Sequence, residues 1–274
     1  MGEIDFGRRF GGIARLYGAA GLERLAAAHV CVIGIGGVGS WAAEALARSA
    51  VGRITLIDLD HVAESNTNRQ IHAQDGTYGK AKVLAMAERI RAINPACVVS
   101  GIEDFVTAEN VALLLPQSGQ SVQSGQSGVF DCVFDAIDNV RAKAALIAHC
   151  RTLGIAVVTT GGAGGRRDPS RVRIADLAHT VQDALASRLR ARLRKEYGFP
   201  RDLKKKFGID CVYSEEPIMW PESDGPACEI DEAPGDIHGP QGLNCAGYGS
   251  SVAVTATFGM VAAARVLDRL VLNK

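Results

Sequence analysis

Val30-Cys31-Val32-Ile33-Gly34-Ile35-Gly36-Gly37-Val38-Gly39 is a short apolar, β-branched run that ends in a glycine turn. Behind it Trp41, Ala42, Ala45, Leu46 and Ser49 recur at helical spacing. Strand, glycine turn and helix in that order predict the opening of a βαβ unit. Gly34, Gly36 and Gly39 fill the G-x-G-x-x-G positions. The first glycine permits a tight turn, the second lets a phosphate approach the backbone, and the third lets helix pack on strand. Ile54-Thr55-Leu56-Ile57-Asp58 is the next strand, and Asp58 falls 19 residues after Gly39. A carboxylate there can accept hydrogen bonds from ribose hydroxyls. The pattern therefore predicts a nucleotide site at a helix N-terminus, without saying which nucleotide.

Downstream, a polar stretch over 60–79 precedes a predicted helix at 80–93, with Val83, Ala87, Ile90 and Ile93 on one face and Asn94-Pro95 as its stop. Val98-Val99 begins a third strand, 129–136 is a fourth and 155–160 a fifth, with a helix near 140–153. The low-complexity segment 117–128 reads as a flexible surface loop. After Gly161-Gly162-Ala163-Gly164-Gly165 the alternation stops; 181–197 looks helical, and 198–247 has little periodicity. The expected architecture is α/β, Rossmann-like and doubly wound on a mainly parallel sheet. One domain is expected over 1–274, with a nucleotide-binding core over about 8–165 and an irregular C-terminal elaboration over about 166–274.

The 274 residues are 47% apolar and carry 30 basic and 30 acidic side chains. A net charge of zero excludes a global basic field, so any nucleic-acid contact must come from a local patch. Seven cysteines, an odd number with no C-x-x-C pair, disfavour a disulfide framework and a zinc clip. MGEIDFGRRF has no apolar signal-peptide core, and no long apolar stretch lacks a charge. A cytoplasmic, reduced protein without stable membrane insertion is expected. The apolar tail 251–263 reads as a helix packed on the core or on a second subunit.

Further residues resemble the ubiquitin-activating-enzyme-like (ThiF/MoeB/HesA) adenylyltransferase superfamily. They are Arg15, the GIGGVGS turn, Leu56-Ile57-Asp58-Leu59-Asp60, Asn66-Thr67-Asn68-Arg69-Gln70, Gly79-Lys80-Ala81-Lys82 and Phe134-Asp135-Ala136-Ile137-Asp138-Asn139. The resemblance implies ATP as the nucleotide, contacted by Gly34, Gly36, Gly37, Gly39, Asp58, Asp60, Asn68, Arg69, Lys82 and Asp138. It implies that Asp58 holds the ribose, that Asn68, Arg69 and Lys82 contact the triphosphate, and that Asp138 positions Mg2+. Arg15 would reach the γ-phosphate across a homodimer interface. Arg15, Arg69, Lys82 and Asp138 are thus the candidate catalytic residues. Such a set suits attack on an α-phosphate, where charge builds on phosphoryl oxygens and on departing pyrophosphate. Taken singly, each residue has a plainer reading: Lys82 as a solvated helix lysine, Arg69 as a loop salt bridge, Asp138 as a helix cap.

A narrower set resembles one bacterial branch, the tRNA threonylcarbamoyladenosine dehydratases. It comprises residues 9–18, Asn68–Ala73, Thr159–Gly165, Asp210–Ser214 and Thr255–Gly259. That resemblance implies adenylation of the threonine carboxylate of N6-threonylcarbamoyladenosine in tRNA, followed by ring closure that expels AMP. Residues 188–206 hold nine basic side chains against Glu196 and Asp202, and Arg192, Arg194, Lys195, Lys204, Lys205 and Lys206 are candidate tRNA contacts, with Tyr197, Phe199 and Phe207 available for stacking. A solvated helix face is the plainer reading. Cys245, in a polar glycine-rich stretch, is a candidate reactive thiol, since some relatives use a cysteine to take an acyl group or a sulfur from a cysteine desulfurase relay. Other readings are activation of the C-terminal Gly-Gly of a ubiquitin-like sulfur carrier, a nicotinamide-dependent oxidoreductase, and a non-catalytic tRNA-binding adaptor. The oxidoreductase reading leaves Arg69, Lys82 and Asp138 without a joint purpose.

Overall fold

The computed structural model describes residues 5–116, 130–219 and 248–272; the 117–128 loop and Cys245 lie outside them. Two helices precede the first strand, α1 (Phe6–Tyr17) and α2 (Ala19–Ala27). The carboxylate of Asp5 caps α1 by accepting the Arg8 amide. Then come β1 (His29–Ile33), α3 (Gly39–Arg48), β2 (Arg53–Ile57), α4 (Lys82–Ile93) and β3 (Val98–Ile102). A short α5 (Val111–Leu114) precedes β4 (Cys132–Asp135), α6 (Val140–Leu153) and β5 (Ala156–Thr160). The boundaries of β1, α3, β2, α4, α6 and β5 follow the sequence pattern, whereas that pattern assigns no helix to α1, α2 or α5.

The sheet has seven strands in the order β3-β2-β1-β4-β5-β7-β6, completed by β6 (Val172–Asp176), α7 (Ala184–Glu196), β7 (Asp210–Ser214) and α8 (Val252–Leu272). All pairings are parallel except β6 with β7. Strand alternation divides the core in two. Val30, Val32, Phe134, Val158 and Val212 pack with α3, α4 and α8, while Cys31, Ile33, Val133, Val157 and Cys211 pack with α6 and α7. The order reverses between β1 and β4, and ligands of doubly wound sheets lodge at that point, outside the carboxyl ends of the strands.

The C-terminal elaboration is more regular than its composition suggests. Strand β7 is buried along its whole length, but Asp210 and Ser214 at its ends disguise it. Asp210 accepts from Arg265 at 2.8 and 3.1 Å and from Arg269 at 2.8 Å. This ties α8 to β7 and explains the charges inside an otherwise apolar helix. Helix α8 also packs on α3, where a Cβ on Gly259 would fall 2.6 Å from the Val38 carbonyl oxygen. Among the described residues no helix is long and apolar enough to cross a membrane.

Candidate nucleotide site

The glycine turn leaves the carboxyl end of β1 with three different constraints. Gly34 has φ 85°, and a Cβ there would lie 2.9 Å from the Ala136 carbonyl oxygen. A Cβ on Gly39 would fall 1.8 Å from the Gly34 carbonyl oxygen. Gly36 differs: its Cβ position has no neighbour within 4 Å among the described residues. Packing demands glycine at 34 and 39, while at 36 the open backbone faces the mouth of the turn. No described side chain caps the N-terminus of α3, so its first amides stay free for an anion. The Arg69 side chain lies over Gly37, with Cγ 3.2 Å from where a Cβ would stand.

Asp58 immediately follows β2 and is buried. Its two oxygens accept the Ile35 amide at 2.5 Å and the Asp60 amide at 2.8 Å. The carboxylate thus braces the glycine turn against the following loop, and each oxygen keeps a lone pair for a ribose hydroxyl. Burial pushes its pKa up, opposed by Lys82 and the two amides. Lys82 opens α4 and is buried, not solvated, with Nζ 2.7 Å from Asp60 Oδ2. Its backbone amide also donates to the Asp60 carbonyl, at 2.9 Å.

Asp138 lies in the turn after β4. The plain reading of it as a helix cap fails, because Asn139 caps α6 by accepting the Arg141 and Ala142 amides at 3.0 Å each. Burial pushes the Asp138 carboxyl up, Lys143 and Lys82 pull it down, and Asp60 pushes it up again. Asp60, Lys82 and Asp138 therefore share one electrostatic field at the switch point. Arg69 donates to the Ser65 carbonyl at 2.8 Å and Asn68 Oδ1 at 2.9 Å, and its buried Nε has no partner among the described residues. The loop salt-bridge reading fails, since no described carboxylate pairs with it. Asn68 donates to the Ser250 carbonyl at 2.9 Å. Arg15 stands exposed on the last turn of α1, and no hydrogen bond or ion pair joins it to these residues within the described chain.

Sequence reasoning missed the group beneath Asp138. Lys143 and Asp135 form an ion pair at 3.0 Å with both side chains fully buried. Lys143 also donates to the Ile137 carbonyl at 2.9 Å, and Asp135 accepts from Thr159 at 2.7 Å and from the Ile137 amide at 3.1 Å. The available signal was a lysine inside Ala142-Lys143-Ala144-Ala145-Leu146-Ile147, where a charge needs a buried partner.

The basic segment lies elsewhere. Helix α7 starts beside the turn after β5, where the Asp183 carboxylate caps it, and ends before β7 begins. Its 13 residues run ~20 Å, so 195–206 sit at the amino edge of the sheet, opposite the glycine turn. The stacking expectation is corrected. Phe199 and Phe207 are buried against each other at 5.0 Å, with Arg151 over one ring and Arg194 over the other. Arg192 pairs with Glu196 at 3.0 Å. Lys195, Lys204, Lys205 and Lys206 are exposed.

The ThiF family model matches residues 11–271. The chain is 52% identical to tRNA threonylcarbamoyladenosine dehydratase of Escherichia coli over 96% of its length and 93% of that protein's. It is 46% identical to the Haemophilus influenzae protein of that name, covering 100% of this chain and 98% of the relative. The crystal structure of the E. coli enzyme with ATP matches with a TM-score of 0.83 at 47% identity, over 99% of this chain and 97% of that one.

Proposed function

The chain belongs to the ThiF family, and we propose that it is the ATP-dependent dehydratase of N6-threonylcarbamoyladenosine in tRNA. The observation that carries the reading is the convergence of Asp60, Lys82 and Asp138 beside an open glycine backbone at the switch point. The threonine carboxylate attacks the α-phosphorus of ATP and pyrophosphate leaves. Ring closure within the modification then expels AMP, and the net change is loss of one water. Asp58 takes the ribose, and the α3 amides and Gly36 receive phosphate oxygens. Lys82 and Arg69 stabilise the charge that develops on them. Lys82 does so as a point charge already aimed by Asp60.

The donor set fits Mg2+, since Asp138 and Asp60 offer carboxylate oxygens. When bound with the nucleotide, Mg2+ neutralises phosphate charge. Arg15, exposed and without a hydrogen bond or ion pair to the site among the described residues, suits a role in the site of a second subunit. Mixing Arg15→Ala with Lys82→Ala subunits restores some activity in a shared-site homodimer, and no recovery overturns that role. A cytoplasmic setting, where tRNA is found, accompanies this reading.

The test is direct. The protein is incubated with ATP, magnesium and tRNA bearing threonylcarbamoyladenosine, and the nucleoside is weighed after digestion. Loss of one water that depends on ATP and is absent in Asp138→Ala is the expected result. An unchanged mass overturns the substrate and leaves a carrier-protein C-terminus as the acyl group to try.

A further inference from the structure

The turn after β5 carries five residues, Gly161 to Gly165, and its glycines have different reasons to be there. A Cβ on Gly161 would fall 2.0 Å from Asp183 Oδ2, and Gly165 has φ 71° with a Cβ position 2.8 Å from Ile218. Packing requires both. Gly162 has no such reason. Its φ lies outside the left-handed region, and the nearest atom to its Cβ position is Arg166 Nη1, at 3.9 Å. Like Gly36, it is a glycine that the described fold does not demand, and such a glycine marks close approach of a ligand to the backbone.

Arg166 supplies the second observation. Its side chain is 1% exposed. Nη2 donates to the Gln182 carbonyl at 3.0 Å and to Asp183 at 3.4 Å, and Nε to the Glu216 carbonyl at 3.3 Å. Gln182 adopts φ 53°, a rare conformation for a side-chain-bearing residue, in presenting that carbonyl. Nη1, on the Gly162 side, has no partner among the described residues. A buried guanidinium held by three acceptors with the two N–H donors of Nη1 left over is an unfinished anion site.

Strand order fixes where this site lies. The glycine turn leaves β1, Asp138 follows β4 and Gly162 follows β5, and these three strands are adjacent in the sheet. Thr159 and Thr160 of β5 also donate to Asp135. Gly162 therefore stands on the side of Asp138 away from the phosphate turn, a side open to a group that attacks a phosphate held at that turn. We propose that Gly162 and Arg166 form the subsite for the acyl substrate's carboxylate, with Gly162 giving it room and Arg166 donating to one oxygen. This assignment rests on the proposed adenylation reaction.

Gly162→Val and Arg166→Lys test it with the full-length protein. Valine at 162 meets no clash at Cβ but fills the space, and lysine at 166 keeps a charge against Asp183 while removing the fork. The measurements are thermal melting, ATP affinity by calorimetry, and KM for threonylcarbamoyladenosine-bearing tRNA. Gly162→Val is expected to melt as wild type does and Arg166→Lys to melt lower, since the Gln182 and Glu216 carbonyls lose a donor. Both are expected to bind ATP as wild type does, with KM raised by roughly tenfold or more, the worth of one charge-assisted hydrogen bond. A wild-type KM in Gly162→Val, or an equal loss of ATP affinity, overturns the subsite. A wild-type enzyme inert towards this RNA and towards carrier C-termini overturns the adenylation reading and the subsite with it.

Discussion

Lys143 and Asp135 meet at 3.0 Å without either side chain touching solvent, and the turn that presents Asp138 is built on that pair. Lysine donates upward to the Ile137 carbonyl while aspartate receives the Ile137 amide. Removing one partner leaves an uncompensated buried charge. Lys143→Met is expected to cost ~3–5 kcal/mol of stability in urea unfolding. The double variant Lys143→Met, Asp135→Asn should recover a large part of that stability but not the activity, because the turn loses its anchor. If the single variant unfolds like wild type, the pair does not hold the turn.

Gly36 and Gly39 separate fold from function. Gly39→Ala places a Cβ 1.8 Å from a carbonyl oxygen and must displace α3 from β1. It should fail to fold or lose several kcal/mol, at least the ~1–3 kcal/mol usual for overpacking. Gly36→Ala meets nothing, so its unfolding midpoint should match wild type while its ATP affinity falls by roughly tenfold or more, since a methyl group occupies the phosphate approach. Calorimetric titration with ATP checks the second claim. Normal binding by Gly36→Ala would mean that the phosphates do not lie against this turn.

The sequence made the first half of the chain legible because its signals are local. The run from Val30 to Gly39, the acid at 58 and the Asn94-Pro95 stop each state one element within a few residues. The paired strands at 172–176 and 210–214 were not legible. Strand β6 is an exposed edge with Arg173 and Ile174 outward, and β7 wears its polar ends because Asp210 is needed by Arg265 and Arg269, more than 50 residues away. Lys82 was identified but its burial was not, since its partner Asp60 lies 22 residues back across a loop. The aromatic residues of the basic segment misled for the same reason: Phe199 and Phe207 have hydrophobic neighbours supplied by α6 and α7, which no window of sequence contains.

His72 gives the protein a pH limit of its own. The ring is buried and neither nitrogen finds a partner among the described residues. Burial, with Lys82 and Arg89 nearby, lowers its pKa from 6.5 to about 4. Above 6.5 the folded and unfolded chains are both neutral here, and the residue adds no pH dependence. As pH falls through 6.5 only the unfolded chain takes up the proton, so stability drops until about pH 4. The loss between pH 7 and pH 5 is on the order of 2 kcal/mol. Urea midpoints across this range should decline in wild type and decline less in His72→Gln. Equal slopes in the two proteins would remove His72 as the cause.

Lys204, Lys205 and Lys206 are exposed at the amino edge of the sheet, while the proposed reactive site lies at the carboxyl edge, a helix length of ~20 Å away. Within one subunit they do not meet the modified nucleotide itself. On the exposed face of α7, Arg188 lies between the two edges and Lys195 stands at the amino edge, so the two can lead an RNA backbone from one towards the other. The contacts are then phosphate contacts without sequence preference, since Phe199 and Phe207 are buried and unavailable to bases. Replacing the three lysines with glutamate should weaken tRNA binding and leave ATP binding intact. Replacing them with alanine should lower the slope of log K against log salt by about 0.7–0.9 for each phosphate lost, up to roughly 3 in all. A short stem-loop that ends near the modified nucleotide should lose less than full-length tRNA does. Equal loss on both RNAs would place the lysines beside the reactive nucleotide, against the topology. No loss on either would return the segment to an ordinary solvated surface.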